Sequence, residues 1–339
     1  MDVSFECAAE PVTAPKAVSD LFARGVQALF RNFNAGRGVP NAVGIAALCD
    51  EEKFVRAVRH LTDAIYAARG EDHVVDASPS NAEVLDLIAS VYPGGSVAPA
   101  SVAPLVAPIF VVGVPRSGTT WVENMLLAHP ALDGPRVETS LFVSLQALWN
   151  NAVVRAWIPE AELALAIRGF VSELLAPWGP LPGRRLVEKT PLHAEHMPLI
   201  AAVFPDASFI SVHRDGRDVV QSLLEMESGT DDVVVAATRW SEITREVSAT
   251  LPALARARDL RYESLLDDPV GALTELFAWL DLPCDDDVLA EVGRRAGERV
   301  SQYNTTGDVG AGKWQKLSRK QLRAVYKHAG DRLAELGYT

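Results

Sequence analysis

The stretch Gly113-Val114-Pro115-Arg116-Ser117-Gly118-Thr119-Thr120 sets two glycines at the spacing of a phosphate-binding G-x-x-x-x-G-K-[ST] loop, with threonine where that pattern has lysine. Successive backbone N–H groups, hydroxyls and the start of a helix all bind anions, the helix end alone contributing about 0.3–2 kcal/mol. Without the lysine, the loop lacks the usual grip on a β/γ-phosphate. Arg116 supplies a cation earlier in the turn, so the anion held here need not be a triphosphate. A second basic turn, His213-Arg214-Asp215-Gly216-Arg217-Asp218, lies about a hundred residues downstream, and taken alone it reads as a solvated loop.

These loops need rigid elements behind them. Ile109-Phe110-Val111-Val112 is a continuous apolar, largely β-branched run that enters the glycine turn, and a helix pattern follows over residues 119–128. Leu186-Val187 enters Glu188-Lys189-Thr190-Pro191, with a helix expected over 192–204. The strand Ser208-Phe209-Ile210-Ser211-Val212 then ends at the basic turn, and a further helix starts near Val219. Alternating strands and helices imply an α/β fold, a P-loop-like parallel sheet flanked by helices, with ligands at the carboxyl ends of the strands. Upstream, Val18, Phe22, Val26, Leu29 and then Phe54, Val58, Leu61, Ile65 recur at helical spacing. The expected division is a mainly helical amino-terminal extension, residues 1–100, and an α/β domain, residues 101–339. Residues 75–93 align without gaps on 187–205, but the first copy has Ala77 where the second has Lys189, so it does not duplicate the chemistry.

Composition narrows the partners. The 339 residues include 32 Lys plus Arg and 44 Asp plus Glu, a net charge of −12, which disfavours sequence-independent nucleic-acid binding. A hydrophobic share of 48% with 22% charged excludes a disordered or collagen-like chain. Cys7, Cys49 and Cys284 are far apart and form no CxxC pair, so neither a disulfide framework nor a zinc site is expected. Residues 1–10 show no secretory pattern, and the most apolar stretch, 102–112, contains Pro104 and Pro108 and is far short of the ~20 residues a membrane span needs. A cytoplasmic protein without a membrane span is the expectation; oligomeric state is not readable.

Pro115-Arg116-Ser117-Gly118-Thr119-Thr120-Trp121 resembles the 5′-phosphosulfate loop of sulfotransferases that use 3′-phosphoadenosine 5′-phosphosulfate (PAPS) and release the 3′,5′-bisphosphate PAP. The resemblance runs over about residues 109–268 and implies site roles. Arg214 and Ser222, eight residues later in the first turn of the expected helix, match the pair that clamps the 3′-phosphate. Trp121 matches a tryptophan that stacks on adenine, Tyr262 in Arg261-Tyr262-Glu263 falls near the nucleoside, and Lys313 in Gly310-Ala311-Gly312-Lys313-Trp314 matches a segment that closes over the nucleotide. Arg116 and the N–H groups of Ser117, Gly118, Thr119 and Thr120 would hold the 5′-phosphate and sulfuryl oxygens. Many cytosolic members place a basic histidine directly after Lys-Thr; here Pro191 stands there, and His193 and His196 read as ordinary helix residues. In a context resembling tyrosylprotein sulfotransferases, Val137-Glu138-Thr139 offers Glu138 as general base instead, with Lys189 neutralising the leaving oxygen.

The implied activity is transfer of a sulfuryl group from PAPS to a hydroxyl of an unidentified small-molecule acceptor, by in-line displacement without a metal. Two other readings compete. In a nucleotide-dependent kinase or NTPase Glu188 would serve as the acid, which Thr119 in place of lysine argues against. A non-catalytic nucleotide-binding protein on the same fold would have no need of Glu138. The acceptor pocket is expected among the amino-terminal helices, residues 141–186 and 225–235. Trp149, Trp157, Phe170 and Trp178 are aromatic enough to line it, though core packing explains them as well.

Overall fold

Ile109–Gly113 (β1) is buried at every residue, which requires paired strands on both sides and a layer over each face. A computed structural model provides both; it describes residues 29, 51–67, 104–178, 184–226, 229–298 and 310–338. The other strands are Leu132–Asp133 (β2), Arg185–Lys189 (β3), Ser208–His213 (β4) and Ala257–Arg261 (β5). All pairings are parallel, in the order β2-β3-β1-β4-β5. The chain builds out to one side of β1 and then to the other, so the carboxyl end of β1 is the switch point at which such sheets bind ligands. The α/β sheet expected from the sequence is therefore present.

Alternation along the strands divides the core in two. Phe110, Val112, Leu186 and Phe209 join one apolar cluster. Ile109, Val111, Val187, Ile210 and Val212 join the other. The first face is covered by Glu51–Ala67 (α1), Leu141–Trp149 (α3), Glu160–Leu175 (α4), Met197–Val203 (α5), Gly216–Leu224 (α6), Val233–Thr250 (α7) and Arg319–Glu335 (α11). The second is covered by Thr119–Leu126 (α2), Tyr262–Asp267 (α8), Pro269–Trp279 (α9) and Asp286–Ala296 (α10). Around Phe110 the rings of Phe142, Phe204 and Phe209 lie with centroids 5.7, 6.1 and 5.9 Å away, which fixes the sheet against α3 and α5.

Helix α1 does not stand apart. Phe54, Ala57, Val58, Leu61 and Ile65 share the core of Leu163, Ile167, Val171 and Leu174. Beside them the buried Glu173 pairs with His60 at 2.7 Å and Arg56 at 3.3 Å. The expected boundary at residue 100, residues 75–93, Cys7, Cys49 and, of the upstream helical pattern, Val18, Phe22 and Val26 lie outside the described residues. Among the described residues no helix is long and apolar enough to cross a membrane.

Two helix starts differ from expectation. The helix expected near Val219 begins at Gly216, because the Asp215 side chain accepts from the Arg217 N–H at 2.9 Å and caps it. Ser222 is therefore in its second turn. Residues 191–196 form a 3₁₀ turn, and the α-helix begins only at Met197, with Pro198 in its first turn.

Candidate active site

The glycine loop leaves β1 through Gly113, where an added Cβ would lie 2.4 Å from the Val212 carbonyl oxygen of β4. Arg116 holds φ 76° and Gly118 φ 97°, so the loop turns twice through left-handed backbone, strain of the kind that collects at binding sites. Gly118 caps α2 with no side chain, and Tyr262 packs where its Cβ would be. The Ser117 N–H, expected among the anion donors, instead closes the turn onto the Val114 carbonyl at 3.0 Å. Its hydroxyl is buried without a partner among the described residues. The amides of Gly118 and Thr119 at the start of α2 are likewise without one. Thr119 is buried and Thr120 half-buried beside them.

The two basic turns meet. Arg116 Nε donates to Ser222 Oγ at 3.0 Å, and Arg214 Nη1 donates to the Arg116 carbonyl at 3.3 Å. Arg214 is buried, lies 4.6 Å from the Tyr262 ring centroid, and donates through Nη2 to Asp218 at 3.0 Å and to the Gly310 carbonyl at 2.7 Å. Its Nε has no partner among the described residues. Tyr262 completes the knot by accepting from the Gly310 N–H at 3.3 Å. Burial raises its hydroxyl pKa against the opposing charge of Arg214, so it stays neutral there.

Asp218 is a residue sequence reasoning passed over. It is fully buried and accepts from Arg214, from the Gly312 N–H at 2.9 Å and from the Trp314 N–H at 2.8 Å. One carboxylate thus ties the second basic turn to the carboxyl-terminal segment, and with it the half-buried Lys313, whose charge bears on Glu225. Arg217 adds a clasp: it pairs with Asp215 at 2.7 Å and stacks on Trp314 at 4.7 Å. Trp121 makes its contacts with α8 and the end of α10. Its indole donates to the Ala296 carbonyl at 3.1 Å and meets Tyr262 edge-on at 5.6 Å, so it is packed within the second core cluster.

Lys189 and Glu138 come together. Lys189 ends β3 fully buried, and its Nζ donates to Glu138 Oε1 at 3.0 Å; the Glu138 side chain is 21% exposed. Oε2 is left without a partner among the described residues. Glu138 does not cap α3, whose cap is Ser140. Left-handed backbone at Arg136 (φ 57°) and Ser140 (φ 51°) brackets it and aims it back over the sheet edge.

Behind this pair stands a second clamp the sequence reading did not assemble. Glu188 points to the opposite face of β3 and accepts from Thr190 Oγ1 at 2.7 Å, Thr139 Oγ1 at 2.8 Å and His193 Nδ1 at 2.9 Å. Burial alone would raise this carboxyl, but His193 and the three hydrogen bonds outweigh it and hold it below the usual range. The Phe142 N–H lies 3.3 Å from His193 Nε2, so both ring nitrogens are engaged within the protein. His196 is similarly occupied: it bonds Gln146 at 2.8 Å, and burial lowers it to about 4. The Glu188 clamp fixes Thr139 and so positions Glu138. Of the aromatic residues set aside for an acceptor pocket, Trp149 and Phe170 are core residues and Trp178 is partly buried against them.

Comparison with known proteins identifies the family. The profile of the sulfotransferase family matches residues 108–286, more than half of the chain. The chain is 28% identical over 218 residues to protein-tyrosine sulfotransferase 1 of Danio rerio, covering 59% of this chain and 61% of that protein. It is 26% identical over 262 residues to protein-tyrosine sulfotransferase 2 of Gallus gallus, covering 68% and 69%. It thus spans about three-fifths of the zebrafish protein's length. Among solved structures, sulfotransferase STF9 from Mycobacterium avium aligns with a TM-score of 0.49 at 15% identity, covering 98% of both chains. With the glycine loop, the paired arginine turns and the profile in agreement, the chain belongs to the sulfotransferase family.

Proposed function

We propose that the protein moves a sulfuryl group from PAPS to a hydroxyl, with Glu138 as general base. The observation that carries this reading is the Glu138–Lys189 pair, a partly open carboxylate held 3.0 Å from a buried ammonium at the carboxyl edge of the sheet. A binding module would have no need of it.

The site residues fit the nucleotide. The buried Ser117 hydroxyl and Arg214 Nε lack partners among the described residues, and the Gly118 and Thr119 amides open the helix end beside them. These are donors awaiting an acceptor-rich ligand, since buried donors are otherwise satisfied. Arg116, Gly118, Thr119 and Thr120 would hold the 5′ end, with Arg214 and Ser222 at the 3′-phosphate. PAPS, when bound, supplies the sulfuryl group that passes to the acceptor oxygen by in-line displacement.

The remaining chemistry belongs to the chain. Glu138 takes the acceptor's proton, a contribution of about 10²–10⁴-fold for a well-placed base. Lys189 orients Glu138 through Oε1 and places positive charge where the departing oxygen gains negative charge. Glu188 and His193 keep Thr139 in place, so the base does not wander.

The relatives named protein-tyrosine sulfotransferases support a tyrosine hydroxyl in a peptide as the acceptor, in place of the small molecule expected from sequence. The test is incubation with radiolabelled PAPS and two acceptor sets, tyrosine peptides and hydroxylated metabolites. Label on tyrosine is the expected result; label on metabolites alone would restore the small-molecule acceptor. Nucleotide binding with no transfer to either set would overturn the enzymatic reading.

A further inference from the structure

Glu123 is a carboxylate on the apolar face of α2. It is 2% exposed, and its Oε1 has no hydrogen-bond partner among the described residues. Helix α2 covers the sheet face formed by Ile109, Val111 and Val187. Lys189 follows Val187 by two residues, so its side chain leaves β3 on that same face, in register with Val111. Glu123 therefore lies in the layer above the ammonium that orients Glu138.

Resting on the sulfotransferase reading above, we propose that Glu123 is a positioning residue that competes with Glu138 for Lys189: it leaves their pair intact while it carries its proton and draws the ammonium away once it loses it. The surroundings decide which form is present. Burial is the largest influence and raises the Glu123 pKa from 4.5 to about 8; Lys189 and Arg136 oppose this, while Glu188 and Glu138 add to it. On the outer side of α2 the charged neighbours are Arg295, which donates to the Asn124 carbonyl, and Glu298, which accepts from the Asn124 side chain. On the α8 side Trp121 meets Tyr262. Among the described residues neither flank offers Glu123 a bond, and of the two cations that act on it Lys189 acts more strongly than Arg136, so Lys189 is the cation its carboxylate would seek. Two carboxylates then share one ammonium, and the group that orients the base and faces the departing oxygen is pulled toward the helix.

Two measurements test this. The first needs no turnover: infrared titration of the free protein follows the carboxylic C=O band that a neutral carboxyl gives and a carboxylate does not. The expected result is a band lost near pH 8 in the wild type, missing from Glu123→Gln, and displaced to higher pH in Lys189→Met. A band unmoved by Lys189→Met would separate Glu123 from Lys189 and overturn the proposal. The second is the pH profile of kcat/KM. From pH 7 to pH 9 the wild type falls about tenfold as one group near 8 ionises, and Glu123→Gln removes that limb. The same fall in both proteins would overturn the proposal while leaving the sulfotransferase reading standing. Absence of transfer at every pH would sink that reading, and the infrared result would still decide whether Glu123 and Lys189 interact.

Discussion

Substituting Gly118 by alanine strikes the point at which the glycine loop, Tyr262 and Arg214 meet. Residue 118 holds φ 97°, where an alanine is strained by about 1–2 kcal/mol. The new Cβ would also lie 2.4 and 2.5 Å from Cδ2 and Cε2 of Tyr262. That ring has little room to yield: it is buried, Arg214 lies over it, Trp121 meets it edge-on and its hydroxyl accepts from Gly310. Overpacking of this kind costs about 1–3 kcal/mol, so Gly118→Ala should lose about 2–5 kcal/mol of stability. Urea unfolding of Gly118→Ala, Tyr262→Leu and the double variant separates the two contributions. The clash predicts a favourable coupling of about 1–3 kcal/mol in the double variant, with the backbone strain left behind. A Gly118→Ala protein within about 0.5 kcal/mol of wild type, the range of an ordinary surface change, would refute the argument.

Three further outcomes follow from the same contacts. Arg214→Ala should weaken nucleotides bearing a 3′-phosphate by about tenfold to a hundredfold, the worth of a hydrogen bond to a charged group, and spare those without one; calorimetry showing equal loss for both would remove the clamp. Asp218→Asn keeps the size of the side chain but weakens its acceptors, so hydrogen exchange at the Gly312 and Trp314 amides should quicken about tenfold or more; unchanged exchange would mean that the carboxyl-terminal segment is held by something else. Glu123 binds a proton more tightly when folded than when unfolded, so the stability it contributes is full below pH 4.5 and is lost as pH rises through about 8. Between pH 5.5 and pH 7.5 that loss is about 3 kcal/mol at about 1.4 kcal/mol per pH unit, and Glu123→Gln should escape it; parallel stability curves for the two proteins would contradict the assignment.

What the sequence discloses and what it hides divides by range of interaction. The loop from Gly113 to Thr120 is local chemistry: a buried strand, two glycines and a helix start lie within a dozen residues, and the structure retains that order. Glu138 and Arg214 stand out by motif, and each lies beside an opposite charge, Lys189 for the one and Asp218 for the other. Asp218 was missed because its two backbone partners, Gly312 and Trp314, lie more than ninety residues downstream, and spacing carries no trace of such a bond. The Glu188 clamp was missed for the same reason, since Thr139 is 49 residues away. Glu123 did leave a signal: with Thr119 and Leu126 it falls on the three-to-four stripe that α2 buries, where a carboxylate is out of place. Ser222 was placed one turn too early because the cap is Asp215, and a turn rich in Asp and Gly leaves several starts open to the same helix.

The central claim is that Glu138 is the base and not part of the nucleotide's grip. Glu138→Gln keeps the size of the side chain, and an amide oxygen can still accept from Lys189 Nζ, but it cannot take a proton from the acceptor. Single-turnover sulfuryl transfer measured beside calorimetric binding of the 3′,5′-bisphosphate nucleotide separates the two roles. The account predicts transfer reduced by about 10²–10⁴-fold with nucleotide affinity within about threefold of wild type. Transfer at the wild-type rate, or a loss wholly explained by weaker nucleotide binding, would contradict it.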